Sequence, residues 1–285
     1  MIYKSFEAKD YERVCDFLIE LNKSREHINW NWARFEWMYE HPMFDKSLLP
    51  FIGLWIDNDK VVGTAIYDMF LGEASVLVLP EYYSIYREIL EYAYKNLKDE
   101  EGLKVVVPDE NELEIKLVKE VGFKKIEQTE TIMSIDLDKP LVASSREEIE
   151  FVHLDPIKDY DELCWLFWRG FDHGNDREEC KRESTVKGNM RVHYNPELAV
   201  TVKCGDDYVG HCSVWYSDKT DYVYVEPVCM VPEYRGKGIA RAMIYEALNR
   251  ARKLGAKKAY VISDMEFYER LGFKKERRYT FYQKL

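Results

Sequence analysis

The sequence predicts an α/β (α+β) chain made of two tandem copies of one domain, each a mixed, mostly antiparallel sheet flanked by helices. Three observations predict it. Strand-like and helix-like segments alternate in the same order in both halves. Three short motifs recur in that order: Val62-Gly63-Thr64-Ala65 with Val209-Gly210-His211-Cys212, Pro80-Glu81-Tyr82 with Pro232-Glu233-Tyr234, and Val121-Gly122-Phe123-Lys124-Lys125 with Leu271-Gly272-Phe273-Lys274-Lys275. The offsets, taken between Gly63 and Gly210, Pro80 and Pro232, and Phe123 and Phe273, are 147, 152 and 150 residues. That period is too long for a solenoid and fits a domain duplication. Strands mixed with helices in this way imply one sheet per domain.

The elements follow in order. In the first half, 2–6 reads as a strand and 8–21 as a helix with apolar residues at helical spacing. Strands 51–56 and 61–70 flank the turn Asp57-Asn58-Asp59-Lys60, a hairpin signal. Then come a strand at 75–79, a helix at 82–97, a strand at 103–107, a short helix at 111–120 stopped by Gly122, and a last strand at 126–136. The aromatic run Trp30, Trp32, Phe35 and Trp37 reads as core packing, with a share in an acceptor cleft as the sharper alternative.

The second half repeats the order: strand 151–154, helices 159–171 and 177–190, and strands 198–203 and 209–216 around Gly205-Asp206-Asp207. Strand 222–231, helix 239–254, strand 258–262, short helix 266–271 and strand 273–283 complete it. A linker over 139–148, with Pro140, Ser144 and Ser145, divides the chain into domains 1–140 and 149–285.

Composition sets limits. With 285 residues, 46% hydrophobic and 33% charged, the chain has material for two packed cores. A formal charge of -11 argues against nucleic acid as a partner and mildly favours a cationic one such as an amine. No apolar stretch is long enough to span a membrane, and the N-terminus has no signal-like apolar region. The six cysteines form no C-x-x-C pair, and no histidine cluster stands at metal-ligand spacing. The expectation is a reduced, cytoplasmic protein without a structural metal.

The strongest local feature is Val231-Pro232-Glu233-Tyr234-Arg235-Gly236-Lys237-Gly238-Ile239-Ala240-Arg241, entered by a strand and left by a helix. Two glycines let a ligand approach the backbone, and the free N–H groups of a helix start attract an anion. Alone, such a loop is as well read as a plain strand-to-helix turn. Its surroundings add an amphipathic helix and, about thirty residues on, Phe267-Tyr268-Glu269-Arg270-Leu271-Gly272-Phe273.

With these residues together, the second half resembles the GCN5-related N-acetyltransferase (GNAT) superfamily; the first half resembles it by pattern only. The resemblance implies acetyl-CoA as co-substrate, entering between strands 222–231 and 258–262. It implies that backbone N–H groups of Arg235, Gly236, Lys237, Gly238, Ile239, Ala240 and Arg241 hold the pyrophosphate, and that Cys229, Met230 and Val231 bond the pantetheine arm. Tyr268 matches the family's usual acid position. Glu226, a carboxylate in an apolar strand placed by alternation on the face of Val228 and Met230, is the candidate base; the carboxyl of Leu285 is a further possibility. Asp172 or His173, after an aromatic helix, reads as an acceptor contact or as an ordinary loop residue. The first copy reads Tyr83-Ser84-Ile85-Tyr86-Arg87 where the loop glycines should be, so it is expected to bind no cofactor. The implied reaction is direct acetyl transfer to a small-molecule or peptide amine. A different acyl-CoA, or a non-catalytic acyl-CoA sensor, are the alternatives. The acceptor and the oligomeric state stay open.

Overall fold

The computed structural model describes residues 1–41, 44–143, 148–183 and 194–285. They form two compact units: residues 1–133, 262–265 and 275–285, and residues 134–261 and 266–274.

In the first unit, β1 (Ile2–Ser5) leads to α1 (Tyr11–Leu21) and α2 (Trp32–Glu40). Helix α2 falls in the aromatic run that sequence left unassigned; Asn31 caps it by accepting from the amides of Ala33 and Arg34. Trp30, Trp32 and Phe35 are buried, so the core reading of these three holds. Next come β2 (Gly53–Asp57) and β3 (Lys60–Tyr67), paired antiparallel around a turn whose Asn58 and Asp59 have φ of 47° and 67°. Expected strand residue 51 instead closes a 3-10 segment, Lys46–Phe51. Strand β4 (Glu73–Val78), a 3-10 segment Pro80–Ile85, α3 (Tyr86–Asn96), β5 (Leu103–Pro108), α4 (Glu112–Glu120) and β6 (Lys124–Asp136) follow.

The second unit has β7 (Glu150–Val152), α5 (Tyr160–Gly170), α6 (Arg177–Glu183), β8 (Ala199–Cys204), β9 (Asp207–Tyr216) and β10 (Tyr222–Met230). Then come α7 (Ile239–Lys253), β11 (Lys258–Ile262), α8 (Glu266–Arg270) and β12 (Lys274–Lys284). The expected helix 177–190 is seen to Glu183; 184–190 lie outside the described residues, as do 144–147 of the linker.

The second unit's sheet runs β11-β10-β9-β8-β7, antiparallel except for the β10–β11 pair. Helix α7 lies on it through buried Ile239, Met243, Ile244, Ala247, Leu248 and Ala251. Each large apolar side chain there contributes about 1.5–3 kcal/mol of burial. The first unit's sheet runs β1-β2-β3-β4-β5-β12. The chain's last strand thus completes the first unit, with Tyr279 opposite Pro108 through Lys284 opposite Leu103.

Candidate active site

The site is built where β10 outruns its parallel neighbour. The β10–β11 ladder pairs Tyr222 with Lys258, Val223 with Ala259 and Tyr224 with Tyr260, and ends there. On its other edge β10 stays paired with β9 as far as Met230 opposite Gly210. The two strands therefore part beyond Tyr224 and leave one edge of β10 open. Val231 N–H donates to the Val209 carbonyl at 2.9 Å. That bond sets the antiparallel phase: Cys229 and Val231 direct their backbone groups to β9, whereas Val228 and Met230 direct theirs to the open edge. Of the three strand residues named from sequence, Met230 thus has its backbone on the cleft. Val228 was missed, because backbone phase has no signature in side-chain type.

A bulge sits at the bend. The β9–β10 register shifts between Val225 and Val228, so Glu226 and Pro227 share one opposing residue. The extra residue interrupts the period-two pattern, so a face read by alternation across it does not carry over. Glu226 is half-buried, and its carbonyl accepts from the Trp215 indole at 2.7 Å.

The loop after β10 is shaped by left-handed backbone. Gly236 and Gly238 have φ of 75° and 84°, and Gly238 is the N-cap of α7 with no side-chain cap. The first N–H groups of α7 accordingly have no side chain across them, at the positive end of a 15-residue helix. Arg235 takes a different part. Its N–H closes the turn on the Pro232 carbonyl at 3.1 Å. Its guanidinium donates to the carbonyls of Met230 at 2.9 Å and Gly170 at 3.0 Å, and to Asp172 at 2.9 Å. It is a brace between the end of β10 and the end of α5. Gly170 is needed for that approach, since a Cβ there would lie 2.8 Å from the Cys229 sulfur. Lys237 lies 5.0 Å over the Tyr234 ring, and Arg241 donates to the Arg270 carbonyl at 2.8 Å. Ile239 is buried and Ala240 half-buried. Asp172 is tied to Arg235, while His173 is exposed with its ring 5.1 Å from that of Trp168.

Tyr268, on α8, is 8% exposed and packs edge-on against Phe267 and Phe273. Burial pushes its phenol well above the ordinary range, and the nearby Cys212 and Glu226 push the same way. Burial likewise raises the Cys212 thiol, with Cys229 and Glu226 adding to it. Tyr268, Cys212 and Glu226 therefore lie within each other's electrostatic reach. His211, beside Cys212, is held neutral: burial lowers its pKa to about 3, and its ring nitrogens meet Thr201 Oγ1 at 2.9 Å and Ser213 Oγ at 2.8 Å. None of the six cysteines is in a disulfide. Among the described residues no group of side chains is arranged to hold a metal ion, and no helix is long and apolar enough to cross a membrane.

The corresponding stretch of the first unit is bonded to its own side chains. The β4–β5 ladder also stops early, at Ala74 opposite Val105. Here Tyr83 donates to buried Glu114 at 2.8 Å and accepts from Asn111 at 2.9 Å. Tyr86 lies 3.5 Å from the same carboxylate, and His27 lies 3.1 Å from it. Tyr83 and Tyr86 stack with centroids 6.1 Å apart. The helix that follows has 11 residues, not 15. The chain end is also in this unit, where Tyr94 donates to the Leu285 carbonyl oxygen at 2.6 Å.

A parted strand pair, a β-bulge and an uncapped helix start define the class: a splayed-sheet domain with an open strand edge leading into a helix N-terminus. A sequence model described as the acetyltransferase (GNAT) family matches residues 158–273, within the second half of the chain. The family's chemistry is acyl transfer from acyl-CoA. The whole chain shares its fold with a tandem GNAT protein from the clavulanic acid biosynthesis pathway (TM-score 0.62, 14% identity, 99% of this chain and 98% of that one). It also matches a GCN5-related N-acetyltransferase from Sphaerobacter thermophilus (TM-score 0.58, 16% identity, 99% and 95%) and a GNAT-family acetyltransferase from Colwellia psychrerythraea (TM-score 0.54, 13% identity, 100% of each). At such identities the likeness is one of fold: two tandem GNAT-like domains. Comparison with curated proteins gives no significant match.

Proposed function

We propose that the chain is an acetyl-CoA-dependent N-acetyltransferase with one working cofactor site, in the second copy. The observation that carries this reading is the uncapped α7 N-terminus, with Gly236 and Gly238 in left-handed conformation, directly after the strand edge that parts from β11. The pyrophosphate would meet the amides from Gly236 to Arg241, and the pantetheine arm would run along Val228 and Met230. Bonding of the equivalent stretch among Tyr83, Tyr86, His27 and Glu114 supports a single site. In domain terms, 149–285 carries the chemistry and 1–140 does not.

The roles follow from charge. The amine nitrogen attacks the thioester carbonyl, a C–N bond forms and the C–S bond breaks. Glu226 takes the proton released by nitrogen. Tyr268 has a phenol raised above its ordinary value, so it is a poorer acid than a thiol of pKa about 8.5. It therefore stabilises the leaving thiolate as a hydrogen-bond donor that keeps its proton. An amide at Val228 or Met230 would polarise the carbonyl. Leu285, bonded to Tyr94, is given no part.

Calorimetry with acetyl-CoA and thiol release over an amine panel test this. Binding with turnover on an amine is expected. Tight binding of a longer acyl-CoA in preference to acetyl-CoA would move the donor, and binding without turnover on any amine would make the protein a sensor. No binding at millimolar ligand overturns all of these.

A further inference from the structure

Strand β4 places Glu73 and Ser75 on one face, since alternate residues share a side. The Ser75 hydroxyl is buried, at 1% exposure, and has no hydrogen-bond partner. An orphaned buried hydroxyl costs about 1–3 kcal/mol. Ser75 lines a void of about 10 Å³ whose polar and aromatic walls are Trp30, Arg34, Asp68, Glu73 and Glu130, with Ala74 and Val106 closing it. That is room for one water-sized group. A cleft of about 290 Å³ shares Asp68 and Glu73 with this void and is lined further by Asp99, Glu101 and Lys104.

The charges decide what fits. Arg34 is already engaged: it donates to Asp68 at 2.7 Å and to Glu130 at 2.8 and 3.1 Å, with its guanidinium 5.1 Å over Trp30. Three carboxylates face one guanidinium around the void, and the outer cleft adds two carboxylates and one lysine. An anion would be repelled. A group that donates several hydrogen bonds and carries positive charge would satisfy the Ser75 oxygen and the carboxylates together. Burial raises the Glu73 carboxyl, which accepts from Gln128 Nε2 at 3.0 Å and keeps lone pairs for a further donor. A primary ammonium has the three donors and the small head required, and the outer cleft has space for a short alkyl chain.

We infer that the first unit binds a primary alkylamine, its ammonium head seated between Ser75 and Glu73 and its chain in the adjoining cleft. Every residue of this site belongs to the first unit, and the inference stands whether or not the second unit is a catalyst. A copy without a cofactor site would thus keep a ligand site of its own, able to sense or hold an amine.

The test is calorimetry of the whole protein with 1,4-diaminobutane, without acetyl-CoA. Saturable binding with a dissociation constant below about 1 mM is expected. Ser75→Val, which fills the void, and Glu73→Gln, which leaves it open, should each weaken this binding about tenfold or more. Tyr268→Phe should leave it unchanged. Tetramethylammonium, which donates no hydrogen bond and exceeds the void, should bind at least tenfold more weakly than the diamine. Circular dichroism confirms that each variant folds; if one does not, the other decides. No binding up to about 10 mM diamine makes the void a water site and overturns the inference. So does equal binding of tetramethylammonium, or a dissociation constant that neither substitution changes.

Discussion

Tyr268 and Val118 hold equivalent places in the two copies: each stands four residues before a glycine of positive φ, Gly272 at 86° and Gly122 at 99°. Both side chains are buried. Only one has a hydroxyl to offer a leaving thiolate. Tyr268→Phe should therefore lower kcat about 10- to 100-fold, the worth of one hydrogen bond to a charged group, with little change in acetyl-CoA affinity. Because the phenol's pKa is raised in the fold, it stays protonated through the assay range, and its stabilising contribution is present below the unfolded value near 10. The wild-type rate should show no alkaline fall below about pH 10 that Tyr268→Phe removes. Such a fall would overturn the assignment.

The two loops can be told apart by one charge each. Gly238, at φ 84°, caps α7 and is exposed, whereas Ser84 is exposed in the first copy's 3-10 segment. Gly238→Glu places a carboxylate where a phosphate would bind and strains the backbone by about 1–2 kcal/mol. Acetyl-CoA binding should fall at least 100-fold, as calorimetry reads it. Ser84→Glu should leave binding within about twofold. Equal losses in both variants would mean that the cofactor binds elsewhere.

The repeat, the element order and the glycine turn into α7 were legible because each rests on local chemistry: glycines at turns, apolar spacing in helices, alternation in strands. The rest was not. Helix α2 escaped because Trp32, Phe35 and Trp37 in an aromatic run carry no clear helical period, and its cap Asn31 resembles any loop asparagine. The Arg235 brace was hidden because its partners, the carbonyls of Met230 and Gly170, are backbone groups common to every residue. The bulge at Glu226 was hidden for the same reason.

That brace makes a prediction. Arg235 joins three acceptors in a fork that one ammonium cannot reproduce. Arg235→Lys should weaken acetyl-CoA binding about tenfold and Arg235→Ala by more, because the end of β10 and the loop lose their common support. The side chain is 45% exposed, so the melting temperature should move by only a few degrees, about 1 kcal/mol. Unchanged affinity in Arg235→Ala would show that the loop holds its shape without the brace.

Cutting the chain tests how the units are assembled. Strand β12 pairs with β5 along six positions and belongs to the first unit, and the Leu285 oxygen is bonded to Tyr94. A fragment of residues 1–140 therefore lacks a strand of its own sheet and leaves the β5 edge, with buried Val105 and Val107, open. It should aggregate or fail to unfold cooperatively in urea, and adding a fragment of residues 149–285 should restore solubility. A soluble, cooperative 1–140 fragment would show that β12 is dispensable.

Two buried histidines should shape the acid stability of the protein in opposite directions. Burial lowers the His211 pKa to about 3, so below the unfolded value near 6.5 the unfolded chain takes up a proton that the folded one refuses. Stability is lost as pH falls, by about 1.4 kcal/mol per unit, or about 2 kcal/mol between pH 6.5 and 5. His27 is different. Burial alone would lower its pKa, but the Glu114 carboxylate outweighs this and holds it above the ordinary value. Its contribution is present below about 6.5 and is lost as pH rises through the folded value. His211→Gln, whose amide can still meet Thr201 and Ser213, should flatten the loss of stability between pH 7 and pH 5 in urea unfolding. His27→Gln should steepen it. If His211→Gln follows the wild-type slope, the buried imidazole is being charged at little cost, and the neutral Thr201–His211–Ser213 chain is not what the fold maintains.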